Sequence, residues 1–224
     1  MRSRASLAPL QAQEDGGFLP PGEEALRVFS GILQRQHYIR IPQFISPALL
    51  QTLQRQIEPL SATKKIYEQI GEELYYEDSR TVGFLIFLMN DPALFQMVEK
   101  ITGSSPIRNF IGRLYRLIPA EGHLEGWHPD VGKHRMFGFS INLSREPYEG
   151  GVLQIRDFAS KETLSEVANT VPGDAVLFRI SNKLEHRVTR VTGNVARTAF
   201  AGWFRSEPSF LSLLKRKTRM EPEP

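Results

Sequence analysis

The chain contains no cysteine. That absence excludes disulfides, thiolate-held zinc, iron–sulfur clusters and a cysteine nucleophile together, so any metal must be held by nitrogen and oxygen. Without disulfides there is no sign of an oxidising compartment. Long apolar runs are also missing. The longest, Val82 to Met89, is interrupted by Gly83 and stops at Asn90-Asp91-Pro92, far short of a membrane span. The start MRSRASLAPL lacks the apolar stretch of a secretory signal. Charge of either sign is scarce in excess. Lys and Arg number 28 against 25 Asp and Glu, and the surplus collects in Arg2, Arg4 and the tail Lys215, Arg216, Lys217 and Arg219. No basic stripe interleaves with stacking aromatics, so a nucleic-acid surface is not expected. The expectations are a cytoplasmic protein with no membrane and no nucleic-acid partner.

At 224 residues, 41% hydrophobic and 24% charged, the chain can bury a substantial core in one large domain. Residues 1–21 mix Gln, Gly, Pro and Ser and read as a flexible arm. Residues 22–106 read as helical support. Leu26, Phe29, Ile32 and Leu33 fall at helical spacing. His37 to Ile41 reads as a short strand. Ser46-Pro47 and Asp91-Pro92 each open a helix with a capping side chain and a proline at the first helical position. From about residue 107 helical spacing gives way to short β-rich runs between turn residues, the pattern of a sandwich or barrel. The reading is α+β, a single domain over 22–206 with a β core over 107–206, and a basic tail over 207–224.

Five histidines are present, His37, His123, His128, His134 and His186. In Gly126-Trp127-His128-Pro129-Asp130, an imidazole and a carboxylate stand two apart, on one side of an extended strand. Such a pair alone is unspecific, since a turn with a capping aspartate has the same spelling. His186 supplies a distal imidazole. Arg197 opens the run Arg197 to Phe204, in which Arg197, Ala199, Ala201 and Trp203 share one face. Two histidines and a carboxylate on one side of iron(II) leave open positions for a chelating 2-oxo acid and for dioxygen. An arginine fork suits the far carboxylate of such an acid.

These residues occur in a recurring order. His128-Pro129-Asp130 is followed by Phe139 to Leu143, Gly150-Gly151-Val152-Leu153, Pro172-Gly173-Asp174, Val176-Leu177-Phe178, His186-Arg187-Val188, and Gly193 to Arg197 with Trp203-Phe204. Over about residues 113–205 the chain resembles the Fe(II)/2-oxoglutarate-dependent oxygenase superfamily, in its prolyl 4-hydroxylase-like branch. The resemblance implies a double-stranded β-helix of the jelly-roll, cupin-like type. His128 and Asp130 would lie on its second core strand, His186 on the seventh and Arg197 on the eighth. It also implies Fe(II), 2-oxoglutarate and dioxygen as cofactors, with His128, Asp130 and His186 as catalytic metal ligands and Arg197 binding the cosubstrate.

A second cosubstrate residue is expected among polar neighbours. Tyr115 lies further upstream of His128 than the pattern's usual tyrosine, and a core tyrosine fits that position equally. Asn142 fills the inward position on the next strand, where an amide needs a partner. His123 reads as an exposed loop residue. Lys133-His134-Arg135 reads as a loop at the cavity mouth, and Trp127 as packing.

The activity implied is hydroxylation of a C–H bond in a small molecule, amino acid or peptide, with release of succinate and carbon dioxide. Desaturation or ring closure by the same oxidant, a non-catalytic binding protein and a zinc hydrolase are the alternatives. Halogenating relatives carry Gly or Ala where Asp130 stands.

Overall fold

The structure, a computed structural model, describes residues 10–68, 71–77, 80–119, 122, 126–132 and 134–207. Arg2, Arg4, His123, Lys133 and the tail from 208 onward lie outside the described residues, and with them the readings that rest on them.

The expected flexible arm is not free from residue 10 on. β1 (Gln11–Ala12) pairs with β2 (Phe18–Leu19) around the turn at Gly16. Leu10 and Ala12 are fully buried, and Phe18 lies against Phe44 with ring centroids 5.8 Å apart. Ala12 N–H donates to the Phe44 carbonyl (2.7 Å), and Ser46 N–H donates to the Ala12 carbonyl (3.0 Å). The polar composition concealed three apolar side chains spaced to reach one core, and their burial outweighs the flexibility of the glycines between them.

α1 (Glu23–Gln36) buries Ala25, Leu26, Phe29 and Leu33 and ends at His37, which has φ of 63°. β3 (Tyr38–Ile41) follows. α2 (Pro47–Ile57) starts where the Ser46 side chain accepts a hydrogen bond from Leu49 N–H. Residues 22–106, read as helical support with one short strand at His37 to Ile41, then depart from that reading. β4 (Ala62–Tyr67) and β5 (Gly71–Tyr76) form a hairpin that extends the main sheet. Its polar, lysine-rich strand β4 is an exposed sheet edge, the place where charged side chains are tolerated and apolar alternation is weakest.

α3 (Arg80–Met89) and α4 (Pro92–Thr102) complete the helices, with the Asp91 carboxylate capping α4. Among the described residues no single helix is long and apolar enough to cross a membrane. The apolar α3 and α4 are bent by 50° to each other and bury Leu85, Leu88, Met89, Leu94 and Val98.

The rest is β: β6 (Asn109–Leu117), β7 (Arg135–Asn142), β8 (Glu149–Gly150), β9 (Leu153–Asp157), β10 (Thr163–Val167), β11 (Ala175–Arg179), β12 (Leu184–Val188), β13 (Val191–Thr192) and β14 (Arg197–Arg205). Seven strands pair in the order β3-β11-β7-β14-β6-β5-β4, and three in the order β10-β9-β12, with β13-β8 as a separate pair. This is the α+β double-stranded β-helix expected from the sequence.

Strand alternation sorts the large sheet into two faces. Phe110, Leu114, Phe139, Ile141, Leu177, Phe200 and Phe204 pack with the helices in the main core. Tyr115, Ser140, Val176, Phe178, Arg197 and Ala201 point the other way, into a cavity shared with β9 and β12 of the small sheet.

At the centre of the large sheet Gly202 pairs with Gly112 on one side and Phe139 on the other. A Cβ there would overlap the Ile111 carbonyl oxygen, which is backbone and cannot swing aside. Gly202→Ala should therefore cost about 1–3 kcal/mol or more, the range for overpacking a close-packed interior. Urea denaturation measures it, and an unchanged midpoint would contradict this account of the β6–β14 contact.

Candidate active site

His128 and Asp130 do not converge by alternation along an extended strand. His128 forms an isolated antiparallel bridge to His186 on β12, with N–H···O distances of 3.0 and 2.9 Å in the two directions. Asp130 has φ of 54°, a left-handed conformation that aspartate tolerates better than most residues. That turn folds the carboxylate back toward the two imidazoles. Asp130 Oδ2 lies 3.3 Å from His186 Nε2 and 3.9 Å from His128 Nε2.

Each group is held in orientation. His128 Nδ1 is 2.9 Å from the Gly126 carbonyl, so its proton sits on Nδ1 and Nε2 is left as a lone-pair donor. The His186 ring packs against Phe178 at 4.8 Å and His128 at 4.4 Å between centroids. Trp203 Nε1–H donates to Asp130 Oδ2 (2.8 Å), and Arg135 Nη1–H donates to Oδ1 (2.5 Å) while stacking over the Trp203 ring. Neither Arg135 nor Trp203 was assigned a site role from the sequence. Only the position of Trp203 on the inward face hinted at one.

Burial works against the Asp130 charge, yet hydrogen bonding and charge from His186, with Trp203 and His128, hold its carboxyl well below the usual carboxylate range. Burial pushes the His186 imidazole below its ordinary value. The three ligand atoms all lie within 4.8 Å of one another. Donors that sit 2.0–2.2 Å from a shared ion can be at most about 4.4 Å apart, so only a small closing motion would be needed for these three to share one metal.

Arg197 is buried on β14, and three hydroxyls accept from it: Tyr148 from Nε (3.1 Å), Tyr115 from Nη1 (2.7 Å) and Ser140 from Nη2 (3.1 Å). Burial opposes its charge, but the two phenol oxygens hold its pKa above the ordinary value. Three of its five N–H groups are thereby used, leaving one on each Nη. Among the described residues it has no carboxylate partner.

Gly151 (φ 58°) belongs to this arrangement. A Cβ there would press on Tyr148 Cε2 (2.8 Å) and Arg197 Cδ (3.2 Å), so the Gly-Gly signature keeps room for the clamp. Tyr148 lies in the loop before that signature and gave no readable signal. Ser140 could have been found by counting two back from Asn142.

Tyr115 lines the cavity beside Arg197 and is also buried with Leu117, Tyr148 and Val191, a place that fits both of its sequence readings. Asn142 does not line it. Its Nδ2 donates to the Asn169 carbonyl (2.9 Å) and its Oδ1 accepts from Ser144 N–H (2.8 Å). The amide's required partners are protein groups, which corrects its reading as a cosubstrate ligand. Asn169 does line the cavity, and its Oδ1 is buried with no partner among the described residues.

His134 is exposed, 3.9 Å from Glu207, and is not part of the cavity wall. The Arg156 and Arg187 guanidiniums lie 4.2 and 4.6 Å from the centroid of the Trp127 ring. The cavity itself encloses about 380 Å³.

The lowered His186 pKa fixes the sign of a pH effect in protein stripped of metal. Below the ordinary value of 6.5 the unfolded chain takes up a proton that the buried ring refuses. Stability is therefore greatest above 6.5 and falls as the pH drops, and the depressed Asp130 adds a loss of the same sign lower down. His186→Gln should flatten the slope of melting temperature against pH between about pH 7 and 5. Equal slopes in the two chelator-treated proteins would contradict it.

Comparison with known proteins agrees with this geometry. The family model described as the 2OG-Fe(II) oxygenase superfamily matches residues 114–205. Among curated protein sequences no relative matches. Solved structures share the fold. One is an oxidoreductase of the 2OG-Fe(II) oxygenase family from Burkholderia pseudomallei, with TM-score 0.63 and 14% identity, covering 84% of this chain and 94% of that one. A Pseudomonas putida prolyl-4-hydroxylase has TM-score 0.58 and 18% identity over 81% and 99% of the two chains. The non-heme alpha ketoglutarate dependent epimerase SnoN from nogalamycin biosynthesis has TM-score 0.58 and 14% identity over 91% and 93%. Over residues 114–205, the stretch that carries His128, Asp130, His186 and Arg197, the chain is thus similar to the 2OG-Fe(II) oxygenase superfamily, an oxidoreductase family that uses Fe(II), 2-oxoglutarate and dioxygen, and it shares the fold of the solved structures.

Proposed function

We propose that the protein is a 2-oxoglutarate-dependent hydroxylase that inserts oxygen into a C–H bond of a small molecule, an amino acid or a peptide. In this reading His128, Asp130 and His186 hold the iron, and Arg197 holds the far carboxylate of 2-oxoglutarate. The observation that carries it is the pairing, in one cavity, of a metal-competent triad with a buried guanidinium that has no carboxylate partner among the described residues. A dicarboxylate that chelates at one end and needs a cation at the other fits that pairing. A zinc hydrolase would use the triad and leave Arg197 without a task.

When bound, iron and 2-oxoglutarate supply the oxidising chemistry with dioxygen, releasing succinate and carbon dioxide. The chain's own contribution is placement. Gly126 turns His128 Nε2 inward, while Trp203 and Arg135 fix the carboxylate plane of Asp130. Tyr115, Tyr148 and Ser140 hold the Arg197 fork before any ligand arrives, which lowers the ordering cost of binding. Asp130 occupies the position that is small in halogenating relatives, and this favours hydroxyl transfer over halide.

Replacing His128, Asp130 or His186 singly by alanine should remove iron binding and 2-oxoglutarate turnover while the fold persists. A folded Asp130→Ala protein that turns over like wild type would refute the triad. Arg197→Ala should weaken 2-oxoglutarate binding by about 2–5 kcal/mol, the cost of losing one partner of a buried charge pair, with little change in iron affinity. Calorimetry with each ligand separates the two, and equal 2-oxoglutarate affinity in mutant and wild type sinks that assignment. Under labelled dioxygen, mass spectrometry should show a product heavier by one labelled oxygen. A product lighter by two hydrogens, or one of unchanged mass, would replace hydroxylation by desaturation or epimerisation. A chlorinated product would overturn the role given to Asp130.

A further inference from the structure

Arg113 occupies the same cavity wall, two positions from Tyr115 on β6 and directly across from Ala201 on β14. No motif in the sequence marks it. Its guanidinium lies among the rings of Tyr67, Tyr115 and Trp203, at 4.9, 5.1 and 6.0 Å from their centroids. Glu73 on β5, its side chain fully buried, accepts from Arg113 Nε (2.8 Å) and Nη2 (3.3 Å). The aromatic walls and the two hydrogen bonds together leave the guanidinium one orientation.

The contact with Glu73 uses only the Nε/Nη2 edge. Three N–H groups remain, including the whole Nη1/Nη2 edge, and among the described residues no acceptor lies within bonding distance of them. That edge is a planar fork matched to a carboxylate. The Arg113 side chain keeps 19% of its exposure although it sits in a cavity wall. A brace between β5 and β6 would account for the ion pair. It would not account for an open fork in the cavity, and apolar residues would brace as well without the desolvation of two charges.

The other cations of the wall are engaged. Arg135 meets Asp130, and Arg197 meets its three hydroxyls. Glu68, Glu73 and Asp130 balance Arg113, Arg135 and Arg197 among the described lining residues. Under the proposed function, Fe(II) and doubly charged 2-oxoglutarate preserve that balance. A substrate whose carboxylate is matched by its own ammonium would preserve it too.

We propose that Arg113, oriented by Glu73, is the substrate-anchoring residue of this cavity, and that it grips a carboxylate carried by the substrate. The source is either a free amino acid or the carboxyl terminus of a peptide. This rests on the reading of the cavity as an iron and 2-oxoglutarate site.

The test is calorimetric binding to protein loaded anaerobically with Fe(II) and 2-oxoglutarate. One arm uses the twenty amino acids, each as free acid and as carboxamide. The other uses tripeptides with free and amidated carboxyl termini. At least one free carboxylate should bind tenfold or more tightly than its amide, and the arm in which it does so identifies the source. Arg113→Gln should abolish that preference with 2-oxoglutarate affinity unchanged. Because Arg113→Gln strands a buried carboxylate, the double variant E73Q/R113Q is measured beside it and should behave the same. A panel in which no free carboxylate outbinds its amide overturns the proposal, as does a preference that survives in both variants. A wild-type protein that binds iron but not 2-oxoglutarate overturns instead the reading beneath it, and this proposal falls with that premise.

Discussion

Arg197 carries its charge into the interior and meets only hydroxyls there. A neutral oxygen offsets part of the desolvation of a guanidinium, and an anion offsets far more. Much of the cavity's end wall follows from that constraint. β6 supplies Tyr115, β7 supplies Ser140, and the loop before β8 supplies Tyr148, whose O–H in turn donates a hydrogen bond to the Asn169 carbonyl at 2.8 Å. Gly151 is small so that Tyr148 and Arg197 can touch. Asn142 is spent on holding Asn169 and Ser144 in place. Under the proposed function the wall is a fitted cradle that a carboxylate of 2-oxoglutarate would complete.

The metal-competent end is built on a different principle. No regular strand presents His128 and Asp130. A single backbone bridge to His186 and one left-handed residue bring three donors together. Irregular backbone is easily displaced, and the side chains around it restore rigidity. Trp203 and Arg135 come from regular strands of the large sheet, stack on each other and take both carboxylate oxygens of Asp130. The sheet thus reaches across to steady a site that lies largely outside it. Supports of this kind around metal ligands commonly govern affinity as strongly as ligand choice does.

What was legible in the sequence follows the same division. Helices with caps were plain, because Ser46-Pro47 and Asp91-Pro92 encode their own starts and apolar spacing their faces. Most strands from Asn109 onward were plain because they alternate between a buried and a second face, but the polar edge strand β10 was not, and Gly126 to Asp130, which reads as a β run, holds only the bridge at His128. The β4–β5 hairpin was missed because an exposed edge needs few apolar residues. The packed stretch at Leu10 and Ala12 was missed because two buried side chains do not alter a composition. At the site, residue types that chemistry demands stood out, while Tyr148, Arg135, Glu73 and Arg113 did not. Their roles depend on long-range pairings such as Glu73 with Arg113 and Asp130 with Trp203, which no local spacing reveals. Asn142 shows the converse. An inward amide on an apolar strand must have a partner, but the sequence does not say whether that partner is a ligand or the protein itself.

Under the proposed function one bound molecule spans the triad and the Arg197 cradle. A crystal structure grown anaerobically with Mn(II) in place of iron and with 2-oxoglutarate tests it most directly. The expected result is a single metal ligated by His128 Nε2, Asp130 Oδ2 and His186 Nε2, with a 2-oxoglutarate carboxylate bonded to both Nη atoms of Arg197. A metal bound elsewhere, or a cosubstrate that leaves Arg197 bonded only to its three hydroxyls, would contradict it.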